Sequence, residues 1–132
     1  LDLEGTSISK LPDSLIWLIA LAVLNLRNCR SIVCLPSFIW NSKSLRNLNI
    51  SGCSKFSRLP ENLNENETLE ELDVGGTAIR EVPSSIVHLK KLKHLSFRGC
   101  QGSTSSSSSS WIQKLFPLAL ACPPQSLYYV NI

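Results

Sequence analysis

Little in this sequence supports charge-driven, metal or membrane chemistry. Charged residues are 17% of the 132 positions and the formal net charge is only +3. No run concentrates Lys and Arg, so the chain lacks the basic footprint of a nucleic-acid binder. The longest apolar run, Leu15 to Leu24, falls short of the ~18 residues that a membrane span requires. Asp2, Glu4 and Asp13 stand where a secretory leader would carry basic residues, so no leader is expected. The five cysteines (Cys29, Cys34, Cys53, Cys100 and Cys122) form no close pairs, whereas a zinc site wants two C-x₂-C pairs. An odd, unclustered count favours free thiols in a reducing compartment: the cytoplasm, with the nucleus as a second location. Two glycosylation tripeptides, Asn49-Ile50-Ser51 and Asn66-Glu67-Thr68, weigh less than the cysteines, because such tripeptides arise often by chance. There is no G-x-x-x-x-G-K-[ST] phosphate loop. His88 and His94 have no sequence partner that would make a nucleophile, since a Cys–His pair needs spatial contact. No enzyme activity and no cofactor are expected.

What the chain has is a repeat. The frame L-x-x-L-x-L recurs as Leu21-Leu24-Leu26, Leu45-Leu48-Ile50, Leu69-Leu72-Val74 and Leu92-Leu95-Phe97, and Leu1-Asp2-Leu3 is its truncated form. The middle anchors Leu1, Leu24, Leu48, Leu72 and Leu95 are spaced by 23, 24, 24 and 23 residues. Five residues beyond each anchor stands Thr6, Cys29, Cys53, Thr77 or Cys100. A second apolar set with a proline follows: Ile8-Leu11-Pro12, Ile32-Leu35-Pro36, Phe56-Leu59-Pro60 and Ile79-Val82-Pro83. A further anchor returns at Leu15, Ile39, Leu63 or Ile86.

This period has a direct physical reading. The L-x-L segment alternates as a short strand does, leucines to one side and polar residues to the other. One repeat cannot bury its apolar side alone, but stacked repeats share a continuous core. The expected fold is α/β: a leucine-rich-repeat solenoid, a curved right-handed superhelix. Short parallel strands would line its concave face, with short helical or irregular turns on its convex face. Each Leu-Pro pair should open a return segment, since proline fixes φ and leaves no N–H unpaired. In Val82-Pro83-Ser84-Ser85-Ile86, followed by Leu89, the spacing predicts a short helical turn. The Thr and Cys column is expected to turn inward and bond the neighbouring loop. Ser42 and Asn66 replace the apolar residues seen at Leu18 and Leu89, which predicts loosening there.

After Cys100 the rhythm fails. Ser105 to Ser110 is an unbroken serine tract with nothing to bury, expected to be a solvated loop. Trp111 to Ala121 is apolar around Pro117, and Leu127-Tyr128-Tyr129-Val130-Asn131-Ile132 restores the strand frame. Three segments follow: repeats over 1–102, a Ser-rich insertion over 103–126, and the start of a further strand at 127–132. Both ends fall inside strands without the polar capping repeat of a solenoid, so the chain reads as a fragment of poor solubility in isolation.

Residues 48–63 and 69–86 carry a resemblance. Gly52-Cys53-Ser54-Lys55 with Leu59-Pro60-Glu61-Asn62-Leu63, and Gly76-Thr77-Ala78-Ile79 with Val82-Pro83-Ser84-Ser85-Ile86, resemble the repeats of plant intracellular immune receptors. The likeness is to the subclass with an N-terminal TIR domain, a nucleotide-binding domain and then these repeats. It implies a non-catalytic recognition module that senses pathogen effectors or guarded host proteins. It also implies that the repeats hold the nucleotide-binding domain of the same polypeptide inactive. The NAD-cleaving and nucleotide-binding chemistry of that family belongs to domains absent from these residues. Two alternatives stand beside it. A Ras-associated leucine-rich-repeat scaffold also uses Leu-Pro turns, with a more uniform 23-residue period. An extracellular receptor ectodomain would place Asn in the turn column and Gly-x-Ile-Pro later.

The candidate protein-binding surface is the polar face of the strands. One column reads Asp2, Asn25, Asn49, Asp73 and Ser96; a second reads Glu4, Arg27, Ser51, Gly75 and Arg98. Arg46, Glu70, Glu71, Lys93 and His94 flank them. Residues one repeat apart stand ~5 Å from each other on a parallel sheet, which makes a continuous strip.

Overall fold

The computed structural model describes residues 1–61, 63, 66–80, 86, 89, 91–96 and 129–131. Five three-residue strands form one parallel sheet: β1 (Val23–Asn25), β2 (Asn47–Asn49), β3 (Glu71–Asp73), β4 (His94–Ser96) and β5 (Tyr129–Asn131). Their spatial order is their order in the chain. The register follows the leucine frame, with Leu24 opposite Leu48, Leu48 opposite Leu72, and Leu72 opposite Leu95. Val130 stands opposite Leu95 from the far side. Asp2 bridges Asn25 in parallel, so the truncated first frame joins the same sheet.

Alternation sorts the side chains. The middle leucines Leu24, Leu48, Leu72 and Leu95 are buried, as are Leu26, Ile50 and Val74 two residues on. Leu45, Leu69 and Leu92 join them, with Leu11, Leu35 and Leu59 from the return segments. These residues form one cluster running across the repeats, in which each layer covers the next.

The first frame and strands β1 to β3 end in the same way. Asp2, Asn25, Asn49 and Asp73 each accept, through Oδ1, the N–H two residues on: Glu4 at 3.0 Å, Arg27 at 3.1 Å, Ser51 at 2.9 Å and Gly75 at 2.9 Å. Such Asx turns divert the backbone from further strand. Three residues beyond each of these Asx residues the chain enters the left-handed region at Gly5, Asn28, Gly52 and Gly76, with φ of 71°, 60°, 75° and 67°. Glycine and asparagine are the residues that visit this region at low cost. At Gly52 the space is closed as well, because an added Cβ would strike the Asn28 side chain.

Of the turn column, Cys29, Cys53 and Thr77 are buried and Thr6 is half-buried. Cys29 donates from Sγ to Leu3 O at 3.0 Å and Cys53 to Leu26 O at 3.1 Å, each tying its loop to the preceding repeat. Thr77 donates to Val74 O within its own turn at 2.7 Å. Pro12 and Pro36 stand immediately before short helical turns, a 3₁₀ turn over Asp13–Trp17 and α1 over Ser37–Trp40. The helical turn expected around Pro83 to Ser85 lies outside the described residues, although Ile86 and Leu89 are buried. The serine tract, the apolar stretch 111–121 and Cys100 also lie outside them.

The loosening expected at Ser42 and Asn66 is not what the structure shows. Asn66 is buried, and its Oδ1 accepts the N–H of Thr68 and of Leu69, both at 2.9 Å. Its Nδ2 donates to Trp40 O at 2.7 Å. Ser42 Oγ likewise accepts the N–H of Ser44 and of Leu45, at 3.2 and 3.1 Å. Where the chain leaves a return segment for the next strand, its N–H groups have no ladder partner. A polar side chain satisfies them, and a leucine could not. Thr68 extends the bracket, donating from Oγ1 to Leu45 O at 2.8 Å, as Ser44 Oγ does to Leu21 O at 3.0 Å.

Candidate recognition surface

The outward side chains of the sheet lie in rows one repeat apart. The row before the buried anchors holds Val23, Asn47, Glu71 and His94; the row after holds Asn25, Asn49, Asp73 and Ser96. Together they line a shallow trough of about 430 Å³ floored by Leu24, Leu48 and Leu72. The strip is crosslinked. Asn25 Nδ2 donates to Asp2 Oδ1 at 3.1 Å and to Glu4 Oε2 at 3.2 Å, and Glu4 lies 4.0 Å from Arg27. Asn47 Nδ2 donates to Glu71 Oε2 at 2.7 Å. At the entry to the strands Arg46, Glu70 and Lys93 alternate in charge, with Lys93 Nζ 3.6 Å from Glu70 Oε2. These are exposed pairs, each worth about 0.2–1 kcal/mol, so they order the surface more than they stabilise the fold.

The structure divides the sequence-derived candidates. Asp2, Asn25, Asn49 and Asp73 sit on the exposed sheet face, but one oxygen of each closes its own Asx turn. Ser51 folds back onto Asn49 Oδ1 at 2.6 Å. Glu4, Arg27, Arg46, Glu71, Lys93 and His94 are exposed, and Glu70 and Ser96 half-buried, all on or beside the strip. Arg98 lies outside the described residues. Val23 and Asn47 belong to the same face, and the sequence reading missed them. The alternation that placed Glu71 and His94 there places these two by the same step, since each immediately precedes a buried leucine. Among the described residues, no group of three or more His, Cys, Asp or Glu is placed to hold a metal ion. No helix of the described residues is long and apolar enough to cross a membrane.

The leucine-rich repeat region family matches residues 20–119, which takes in β1 to β4 and the connections between them. The chain belongs to the leucine-rich repeat family. Its relatives are plant disease resistance proteins. It is 38% identical over 129 residues to the disease resistance-like protein DSC1 of Arabidopsis thaliana, across 98% of this chain and 10% of that protein. It is 40% identical over 98 residues to the TMV resistance protein N of Nicotiana glutinosa, across 74% of this chain and 9% of that protein. Disease resistance protein RPP2A of Arabidopsis thaliana is 36% identical over 102 residues, 76% of this chain and 8% of that protein. The chain thus spans about a tenth of the length of the curated relatives it matches.

Proposed function

We propose that this leucine-rich repeat chain is a non-catalytic protein-recognition segment of a plant disease resistance protein, reading its partner with the exposed sheet face. The observation that carries this is the strip itself: polar and charged side chains aligned in rows along the exposed face of the sheet. Such a surface offers many shallow, position-fixed contacts, which suits a protein partner better than a small molecule. In this reading the repeats stack as a curved right-handed solenoid with the sheet on its concave side. Residues 1–102 are the repeats, 103–126 an insertion and 127–132 the start of the next strand. The partners are a pathogen effector or a guarded host protein, and the nucleotide-binding domain of the same polypeptide, which the repeats restrain. The setting is the cytoplasm, with the nucleus as a further site.

Sequencing the full-length transcript upstream of the codon for Leu1 tests the assignment. An encoded phosphate-loop nucleotide-binding domain upholds it. A secretory leader, or uniform repeats with no such domain, overturns it in favour of a receptor ectodomain or an intracellular scaffold.

A further inference from the structure

A second concavity lies on the return side, away from the sheet face. A groove of about 470 Å³ runs between the second and third return segments, with Val33, Leu35, Leu59 and Pro60 as apolar walls. Trp40 lines it and is only 4% exposed, yet its indole N–H has no hydrogen-bond partner among the described residues. Buried indole N–H groups ordinarily find an acceptor. Val33, 52% exposed, presents apolar surface at the rim. Arg58 is the one charged side chain of the lining, exposed and without an ion-pair partner among the described residues. The neighbouring repeat has Ile16 at the position of Trp40, so the donor is particular to this groove.

From these features we propose that the groove docks a short segment of another protein carrying a branched apolar side chain followed directly by a carboxylate. The apolar side chain packs between Val33 and Leu59. A backbone carbonyl of the segment accepts the Trp40 indole N–H, and the carboxylate pairs with Arg58. A basic segment is disfavoured by the unpaired guanidinium, and a purely apolar one leaves that charge uncompensated. Sheet-face substitutions leave this docking unchanged, because none of the sheet-face rows lines the groove.

The test uses the full chain labelled with ¹⁵N at its three tryptophans, with Trp40→Phe assigning the Trp40 indole signal. The probes are acetyl-Ala-Leu-Glu-amide and acetyl-Ala-Leu-Lys-amide. The expected result is a saturable downfield shift of the Trp40 indole proton with the Glu peptide, and binding of the Lys peptide weaker by about tenfold, or about 1.4 kcal/mol. Arg58→Glu, an exposed change that leaves the core intact, reverses that order. As a second readout, the Glu peptide slows alkylation of Cys34, an exposed thiol in the groove. An unmoved Trp40 signal at saturating peptide overturns the proposal, as does equal response to both peptides. A shift that follows protein concentration without peptide also overturns it, assigning the groove to a second copy of the chain.

Discussion

Replacing Asn66 by Ala is the sharpest stability test, because the repeat frame and the structure disagree about this position. By the frame, Asn66 is a defect where leucine belongs, so a small apolar residue should be tolerated. By the structure, the side chain accepts two strand-entry N–H groups and donates to Trp40 O, all in a buried site. Alanine orphans three backbone groups. A buried unsatisfied polar group costs about 1–3 kcal/mol, and the three are neighbours that water or a shift can partly satisfy together. The expected loss is therefore about 2–4 kcal/mol rather than the full sum. At ~4 °C per kcal/mol for a domain of this size, the thermal midpoint falls by ~8–16 °C. Thermal unfolding followed by circular dichroism measures it, with Ser42→Ala as an internal scale. Ser42 is only half-buried and makes two comparable bonds, so its loss is about 1 kcal/mol. A midpoint for Asn66→Ala within error of the parent refutes the reasoning, because the bracket would then have no energetic weight.

Gly52→Ala meets both a left-handed φ and the Asn28 side chain; a loss of at least about 1–2 kcal/mol is expected by urea titration, and a neutral effect would contradict the turn geometry. Leu72→Ala removes a fully buried anchor touching both neighbouring repeats and should cost about 2–5 kcal/mol in the same assay. Burial pushes the Cys53 thiol up from its ordinary value of 9.0 to about 11, so the fold favours the neutral form. The associated stability is fully present below pH 9.0 and declines as pH rises towards about 11. Cys53→Ala should flatten that part of the stability–pH curve; an unchanged slope would contradict the assignment.

The backbone plan was open to sequence reading because it is periodic. Leu24, Leu48, Leu72 and Leu95 fall into register without adjustment, and Cys29 and Cys53 turn inward as small weak donors should. The bracket at Asn66 was hidden because a frame of apolar positions scores any polar residue as a lapse. Whether Asn66 is a lapse depends on which backbone groups end there, and only coordinates show that. The Asx turns were hidden differently. Asp2, Asn25, Asn49 and Asp73 share a face with exposed charges, so a pattern of outward polar residues cannot separate those closing a turn from those open to a partner. Asn47 and Val23 could have been found by alternation alone. The Trp40 groove depends on how two return segments splay, which no spacing encodes.

Under the proposed function, the decisive measurement is a pull-down of the nucleotide-binding domain that the same transcript is expected to encode, using the intact repeat region as bait. The comparison is a bait carrying Arg46→Glu, Glu71→Lys and Lys93→Glu together. All three residues are exposed beside or on the trough, so the fold should persist with an unchanged circular dichroism spectrum. Capture by the parent bait is expected, with its loss, by tenfold or more, in the triple variant. Capture of equal strength by both baits, or none by either folded bait, would contradict recognition through the sheet face.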